Sequence, residues 1–192
     1  MKKQVVAVCQ AAYGRLRAIN NIRKTLTEEA TKILVHAFVT SRLDNANSLL
    51  SGIPASALTK LQRIQNAAAR TVLRIRKRDH ITPALKVLHW LPVKQRIQFK
   101  VLTLTWKALH NEAPQYITDL LIPLSHTRTL RSSKHLLLCV PRTNLKTCGD
   151  RSFSVVAPRA WNGLPLEMRQ LENRDMFKLE LKTFLFHCAF ES

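Results

Sequence analysis

The side chains that could do chemistry in this 192-residue chain are chiefly its cations. The sequence carries 31 Lys and Arg against 12 Asp and Glu, for a formal net charge of +19. Residues 45–111 hold twelve of these bases and one acid, Asp79. A surface this basic repels itself unless an anion lies against it, and the commonest such anion is a phosphate backbone. The charge pattern therefore predicts phosphate binding.

The acids do not form a pattern that predicts catalysis. A metal-dependent polymerase or nuclease needs at least two carboxylates that share the metal ions. Glu28 and Glu29 are adjacent, but a place in the first turn of a predicted helix explains both. Glycine-rich phosphate loops and the HExxH and GxSxG motifs do not occur. We therefore expect no enzyme activity, no cofactor and no metal. The candidate carboxylates, none of them next to another acid, are Asp44, Asp79, Asp119 and Asp150.

The cysteines are scattered, with no CxxC pair, which is typical of reduced thiols in a nuclear or cytosolic protein. A zinc site formed by Cys139, Cys148, His187 and Cys188 is the alternative, although it lacks the paired ligands of structural zinc sites. No apolar run reaches the roughly 18 residues of a membrane span. The first ten residues lack the apolar core of a secretion signal, so we expect no membrane and no secretion.

Apolar residues at steps of three and four predict that helices position these cations. The strongest pattern covers residues 55–76, where Leu61, Ile64 and Val72 share a face. In residues 25–42, Thr25 and Glu28 form a predicted capping box. The inward face of that helix is predicted to be Ala30, Ile33, Leu34, Ala37 and Phe38. Further helices are predicted at residues 5–19, 82–90, 92–110, 114–121 and 175–187.

After Pro123 the pattern changes. Residues 135–141 and 151–158 are short and apolar or alternating, and they predict an antiparallel hairpin across a turn at residues 146–149. The predicted fold is mostly α: a helical bundle followed by a small β-hairpin and a C-terminal helix. The predicted domains are residues 1–122 and 123–192. No internal repeat is visible.

The predicted helix of residues 55–76 is the main candidate site. No acid lies between Asn45 and Arg78, whereas solvated helix faces usually mix both signs of charge. A solvated face remains the alternative. Gln62, Gln65 and Asn66 could add sugar or base contacts. The candidate phosphate-binding residues are Lys60, Arg63, Arg70, Arg74, Arg76, Lys77 and Arg78, followed by Lys94, Arg96 and Lys100.

A second candidate is the polar loop of residues 125–134, where Arg128, Arg131 and Lys134 lie among short hydroxyl side chains. A disordered surface loop is the alternative there. Aromatic residues for base stacking are sparse, and Trp90 and Trp106 are better explained as core residues. We therefore expect contacts to the nucleic-acid backbone with little sequence readout.

Several long blocks of the chain are similar to one family. They are SRLDNANSLLSGIP at residues 41–54, LQRIQNAAARTVL at 61–73, the stretch DHITPALKVLHWLPVKQRIQFKVLTLTWKALHNEAPQYITDLL at 79–121, RTLRSS at 128–133, VPRTNLKTCGDRSFSVVAPRAWNGLP at 140–165 and FKLELKTFLF at 177–186. In order and spacing the chain resembles the C-terminal part of the reverse transcriptase polyprotein of non-LTR (LINE-type) retrotransposons of the chicken-repeat-one and L2 kind.

The resemblance implies a region that follows the polymerase palm. The family's palm carries a Tyr/Phe-x-Asp-Asp motif, and this sequence has no Asp-Asp pair. The helical part would correspond to a polymerase thumb, which lies along the template–primer duplex. The implied partners are RNA or an RNA–DNA hybrid and, in a full-length element, the palm domain. The alternative is a docking module for that palm with no independent function.

Overall fold

The computed structural model describes residues 2–124, 136–145 and 149–191, and it confirms the prediction of a mostly helical fold. The longer helices are α1 (Lys2–Ile22), α2 (Glu28–Val35), α4 (Ala55–Leu73), α6 (Val93–Leu109), α8 (Phe153–Asn162) and α10 (Arg174–Phe190). The shorter helices are α3 (Ser41–Asp44), α5 (Thr82–Val87), α7 (Gln115–Thr118) and α9 (Leu166–Arg169). Short 3-10 turns cover Asn47–Leu50 and Gly149–Arg151.

The chain forms two compact units. The first consists of residues 1–97 with 188–192, and the second of residues 98–187. Helices α6 and α10 contribute residues to both units. These division points therefore fall inside continuous helices, and the domain boundary predicted after residue 122 stays a prediction. A change of composition marks residue 122, whereas a division within a helix leaves no such mark in the sequence.

The core of the first unit is built by α1, α2 and α4. Helix α1 buries Val5, Ala12, Leu16 and Ile19, at the steps of a single helix face. Helix α4 buries Leu61, Ile64, Ala68 and Val72, as the apolar spacing predicts. Trp90 is 4% exposed and belongs to the same cluster, which confirms that it is a core residue.

The predicted inward face of α2 is wrong for Ile33 and Phe38, whereas Leu34 packs against the core as predicted. Thr27, not Thr25, is the N-cap, since its hydroxyl accepts a hydrogen bond from the amide of Ala30 at 3.2 Å. Ile33 is 61% exposed and Phe38 is 45% exposed. The buried residues follow each other in steps of four, which would drift around a regular helix of 3.6 residues per turn. A wider π turn at His36–Thr40 compensates for the drift. These buried residues are Thr31, Val35, Val39 and Leu43.

The second unit packs around aromatic side chains. The ring of Phe177 lies 5.9 Å from that of Trp106 and 5.9 Å from that of Trp161. The Trp106 indole donates to the carbonyl of Leu171, and the Trp161 indole donates to that of Leu136, both at 2.8 Å. The placement of Trp106 as a core residue is therefore confirmed, because it is 1% exposed.

The predicted β-hairpin is not seen in the described residues. Residues 151–158 lie in the 3-10 turn and in α8, where Val155, Pro158 and Trp161 are buried at helical steps of three. Leu138 instead forms an isolated bridge with Pro123. The Asn162 side chain also binds both the amide and the carbonyl of Leu138, at 2.9 and 2.8 Å. The predicted turn at residues 146–149 lies mostly outside the described residues.

Candidate nucleic-acid interface

Helix α4 carries two of the predicted cations on its solvent side. Its buried residues, centred on Leu61 and Ala68, occupy one face. Lys60 and Arg63 are both exposed. Neither side chain forms an ion pair within the part of the chain that the structure describes. Both are therefore available to phosphate groups.

Two further predicted residues, Arg70 and Arg74, hold the fold together at the C-terminal end of α4. The guanidinium of Arg74 donates to the carbonyls of Arg23 and Leu26, at 3.1 and 3.4 Å. Arg74 is also left-handed, with φ of 54°, and it ends the helix. Arg70 donates to the carbonyls of Arg76 and Asp79, at 3.4 and 3.0 Å. Charge reversal at either position would disturb the structure as well as any binding.

The predicted cations Arg76, Lys77 and Arg78 lie beyond the helix, in a tight turn that we call the basic turn (residues 76–79). The amide of Asp79 donates to the carbonyl of Arg76 at 3.2 Å, which closes the turn. The carboxylate of Asp79 accepts a hydrogen bond from the amide of Arg76 at 3.0 Å. Lys77 and Arg78 are exposed at the tip. Two hydrogen bonds between Arg76 and Asp79 therefore fix the backbone of the basic turn, and its cations extend from that fixed backbone.

The predicted cations of α6 have different surroundings. Lys94 and Lys100 are exposed. Arg96 is half-buried, and its guanidinium forms a two-pronged ion pair with Asp44, with Nε 2.9 Å from Oδ1. The carboxylate neutralises Arg96, so the structure argues against a phosphate contact there. Lys100 belongs to the second unit, whereas the other nine candidates belong to the first.

The three side-chain amides of α4, those of Gln62, Gln65 and Asn66, form an internal hydrogen-bond network. Gln62 accepts a hydrogen bond from the amide of Val93 at 2.8 Å, and so satisfies the N-terminus of α6. Gln65 donates to the carbonyl of Leu91 at 2.8 Å. Gln62 also donates to Gln65 and Asn66, at 3.0 and 2.8 Å. These internal hydrogen bonds occupy much of the capacity of the three amides, and their predicted sugar or base contacts stay a prediction.

Arg23 has a structural role that the sequence did not indicate. It is 9% exposed and donates to the carbonyls of Thr71, Val72 and Leu26, each at 2.8 Å. It thereby satisfies the last carbonyls of α4. Burial lowers the pKa of Arg23, the charge of Arg74 lowers it further, and Glu28 opposes both effects. The carbonyl partners on α4 lie 48 and 49 residues away, so no local pattern indicates this role.

Helix α1 adds cations that the sequence analysis did not include. Arg15, Arg17 and Lys24 are exposed in or just after this helix. The sequence signal that could have identified these cations is the absence of any acid before Glu28. In sequence, the first unit contains 18 Lys and Arg against five Asp and Glu, a net charge of +13. Most of the excess charge is therefore on the first unit.

The acids do not assemble into a metal centre. Among the described residues, no group of three or more His, Cys, Asp and Glu side chains could hold a metal ion. Asp44 is paired with Arg96, and Asp79 closes the basic turn. Cys148, one of the residues of the alternative zinc site, lies outside the described part of the chain. None of the helices in that part has the length and apolar character needed to cross a membrane.

The second candidate, residues 125–134, lies outside the described ranges, so the interface rests on the first unit. Its exposed cations include those of α1, α4 and the basic turn, together with Lys24, Arg42 and Lys94. Comparison with known proteins adds no assignment: no family model, no curated protein and no solved structure matches the chain.

Proposed function

We propose that this protein binds nucleic acid through phosphate contacts, as a non-catalytic region of the kind that follows the palm in a LINE-type reverse transcriptase. The supporting observation is the charge of the first unit, +13, with exposed cations on α1, α4 and the basic turn. The partner is RNA or an RNA–DNA hybrid. Each phosphate contact releases condensed counterions, so binding weakens as salt rises.

The test is a salt series with protein purified after nuclease treatment. Affinity for single-stranded RNA, duplex and hybrid is measured by filter binding. The logarithm of the affinity should fall linearly with the logarithm of salt concentration. Lys77→Glu with Arg78→Glu should weaken binding to all sequences alike and lower the slope by about one unit for each phosphate that is no longer neutralised. These two residues are better targets than Arg70 and Arg74 because they donate no hydrogen bond to the backbone within the described chain.

A matched control reverses two exposed cations elsewhere. Arg142→Glu with Lys182→Glu makes the same change of charge in the second unit. We expect a smaller loss of affinity and a nearly unchanged slope. Equal losses in the two double variants would mean that net charge acts without a defined interface. Wild-type binding that does not depend on salt would overturn the proposal.

A second candidate function is docking on a polymerase palm. It is supported by the large apolar side chains that α2 and the π turn expose, Ile33 and Phe38. Exposed apolar groups of this size often mark a protein interface. An isolated chain that lacks its partner should then associate with itself. Size-exclusion chromatography at moderate salt tests this, since a single monomeric peak with a cooperative melt would contradict it.

A further inference from the structure

Helices α1 and α4 lie side by side and run in the same direction. Near their C-terminal ends, the Thr71 hydroxyl donates to the side-chain oxygen of Asn20 at 2.9 Å. Eleven residues earlier on each helix, Lys60 is close enough to Cys9 to oppose the rise that burial causes in the pKa of that thiol. Equal separations along both helices require a parallel arrangement. We call the outer surface along this contact the α1–α4 seam.

Along α1, Tyr13 and Arg17 come between these two points, and their spacing from Cys9 assigns them to the seam. They follow Cys9 by four and eight residues, and so occupy the same side of α1. On α4, Ala67 lies between Lys60 and Thr71, and its methyl group adds little bulk to the surface. Tyr13 is 43% exposed, so a large part of its side chain is accessible to a ligand. The α1 side of the seam therefore carries an exposed aromatic ring, and the α4 side carries a small residue.

The charges along the seam have one sign. Arg17 of α1 and Lys60 and Arg63 of α4 are all exposed. Neither helix contains an acid, and the first acid of the chain is Glu28. A partner that lies along the seam must therefore be anionic. An exposed aromatic ring between cations matches the arrangement by which proteins hold single strands, where bases stack on the ring and phosphates meet the cations.

We propose that the α1–α4 seam binds single-stranded RNA by stacking a base on Tyr13. This inference rests on the proposed function and narrows it, since a duplex keeps its bases stacked internally and cannot offer one to the ring. Lys60, Arg63 and Arg17 contact the phosphates that flank the stacked base. Stacking requires no particular base, so the seam binds many sequences.

The experiment compares tyrosine variants on two ligands, an unstructured single-stranded RNA and the duplex with its complement. Tyr13→Ala should weaken binding to the single strand by about 5- to 100-fold, which is the range for removing a stacking aromatic. Its affinity for the duplex should stay within about twofold. Tyr13→Phe keeps the ring and should bind the single strand like the wild type. Tyr116→Ala is the matched control, because Tyr116 is 70% exposed and lies in the second unit.

The outcomes separate this inference from the proposed function. A wild-type protein without salt-dependent binding overturns the proposed function itself. If wild-type binding depends on salt but Tyr13→Ala loses no affinity, or loses equal affinity for both ligands, only the proposed stacking at the seam is overturned. Tyr13→Leu keeps apolar bulk without the ring, so it decides the question if Tyr13→Ala does not melt cooperatively.

Discussion

At the residue scale, the first unit contains a buried cation, Arg23, that forms no ion pair among the described residues. Arg23→Ala removes donors from three carbonyls, those of Thr71, Val72 and Leu26. Hydrogen bonds from a charged group contribute about 1.5–3 kcal/mol each, partly offset by desolvation. We expect the free energy of unfolding to fall by about 3–5 kcal/mol, within the range for breaking a buried charged network. Urea denaturation measures it.

The control for this prediction is on the neighbouring helix α1. Arg15→Ala removes an exposed arginine and should change the free energy of unfolding by less than about 0.5 kcal/mol. Arg23→Lys keeps the charge but cannot reach three carbonyls, so it should recover only part of the loss. A full recovery by lysine would show that charge, and not the fork of donors, stabilises the end of α4.

In the candidate site, the sequence predicts the charged residues but not their partners. The sequence predicts Lys60, Arg63, Lys77 and Arg78 as phosphate-binding cations. Lys60 and Arg63 are exposed because they lie outside the apolar face of α4, and Lys77 and Arg78 are exposed in the basic turn. The sequence does not distinguish these exposed cations from Arg74 and Arg96, whose hydrogen-bond partners lie about 50 residues away in sequence. Charge is a local property of the sequence, whereas a carbonyl or carboxylate partner depends on the tertiary fold.

At the element scale, the basic turn should depend on its geometry as well as its charge. Asp79→Ala removes the carboxylate that holds the amide of Arg76 and adds one positive charge to the protein. If charge alone mattered, affinity for RNA would rise. We expect it to fall about threefold to tenfold, because a loosened turn must be ordered on binding. Filter binding at fixed salt measures the change.

Asp119→Ala is the matched control for the basic turn. Asp119 is exposed on the second unit, and its side chain accepts a hydrogen bond from the nearby Gln115. The substitution adds the same charge away from the turn, so affinity should stay level or rise slightly. Tighter binding by Asp79→Ala would contradict a preformed turn and leave simple electrostatics as the explanation.

Long amphipathic patterns were sufficient to predict helices, whereas short patterns were not. A long amphipathic pattern predicted residues 55–76, and α4 covers Ala55–Leu73. The run at residues 151–158 alternates like a strand over a few residues, yet Trp161 extends it into a helical pattern that buries Val155 and Pro158. The inward face around α2 was predicted wrongly for two other reasons. A polar residue, Thr31, occupies the buried face, and the π turn at His36–Thr40 changes the helical period, which an apolar pattern does not show.

At the scale of the whole molecule, the excess charge should make stability increase with salt. A net charge of +19 destabilises the compact state through self-repulsion, and salt screens it. The Arg96–Asp44 pair neutralises only one of the 18 cations of the first unit. We therefore expect the melting temperature to rise by several degrees between low and physiological salt, as measured by circular dichroism.

Bound RNA should stabilise the protein further at low salt. A ligand at about 100 times its Kd adds about 2.7 kcal/mol to the free energy of unfolding. For a chain of this size that corresponds to a rise of roughly 5–10 °C in melting temperature. Dextran, a neutral polymer, should not reproduce the rise. A melting temperature that falls as salt is added would mean that attractive ion pairs outweigh repulsion in the folded state, and relief of self-repulsion could then not explain stabilisation by a bound polyanion.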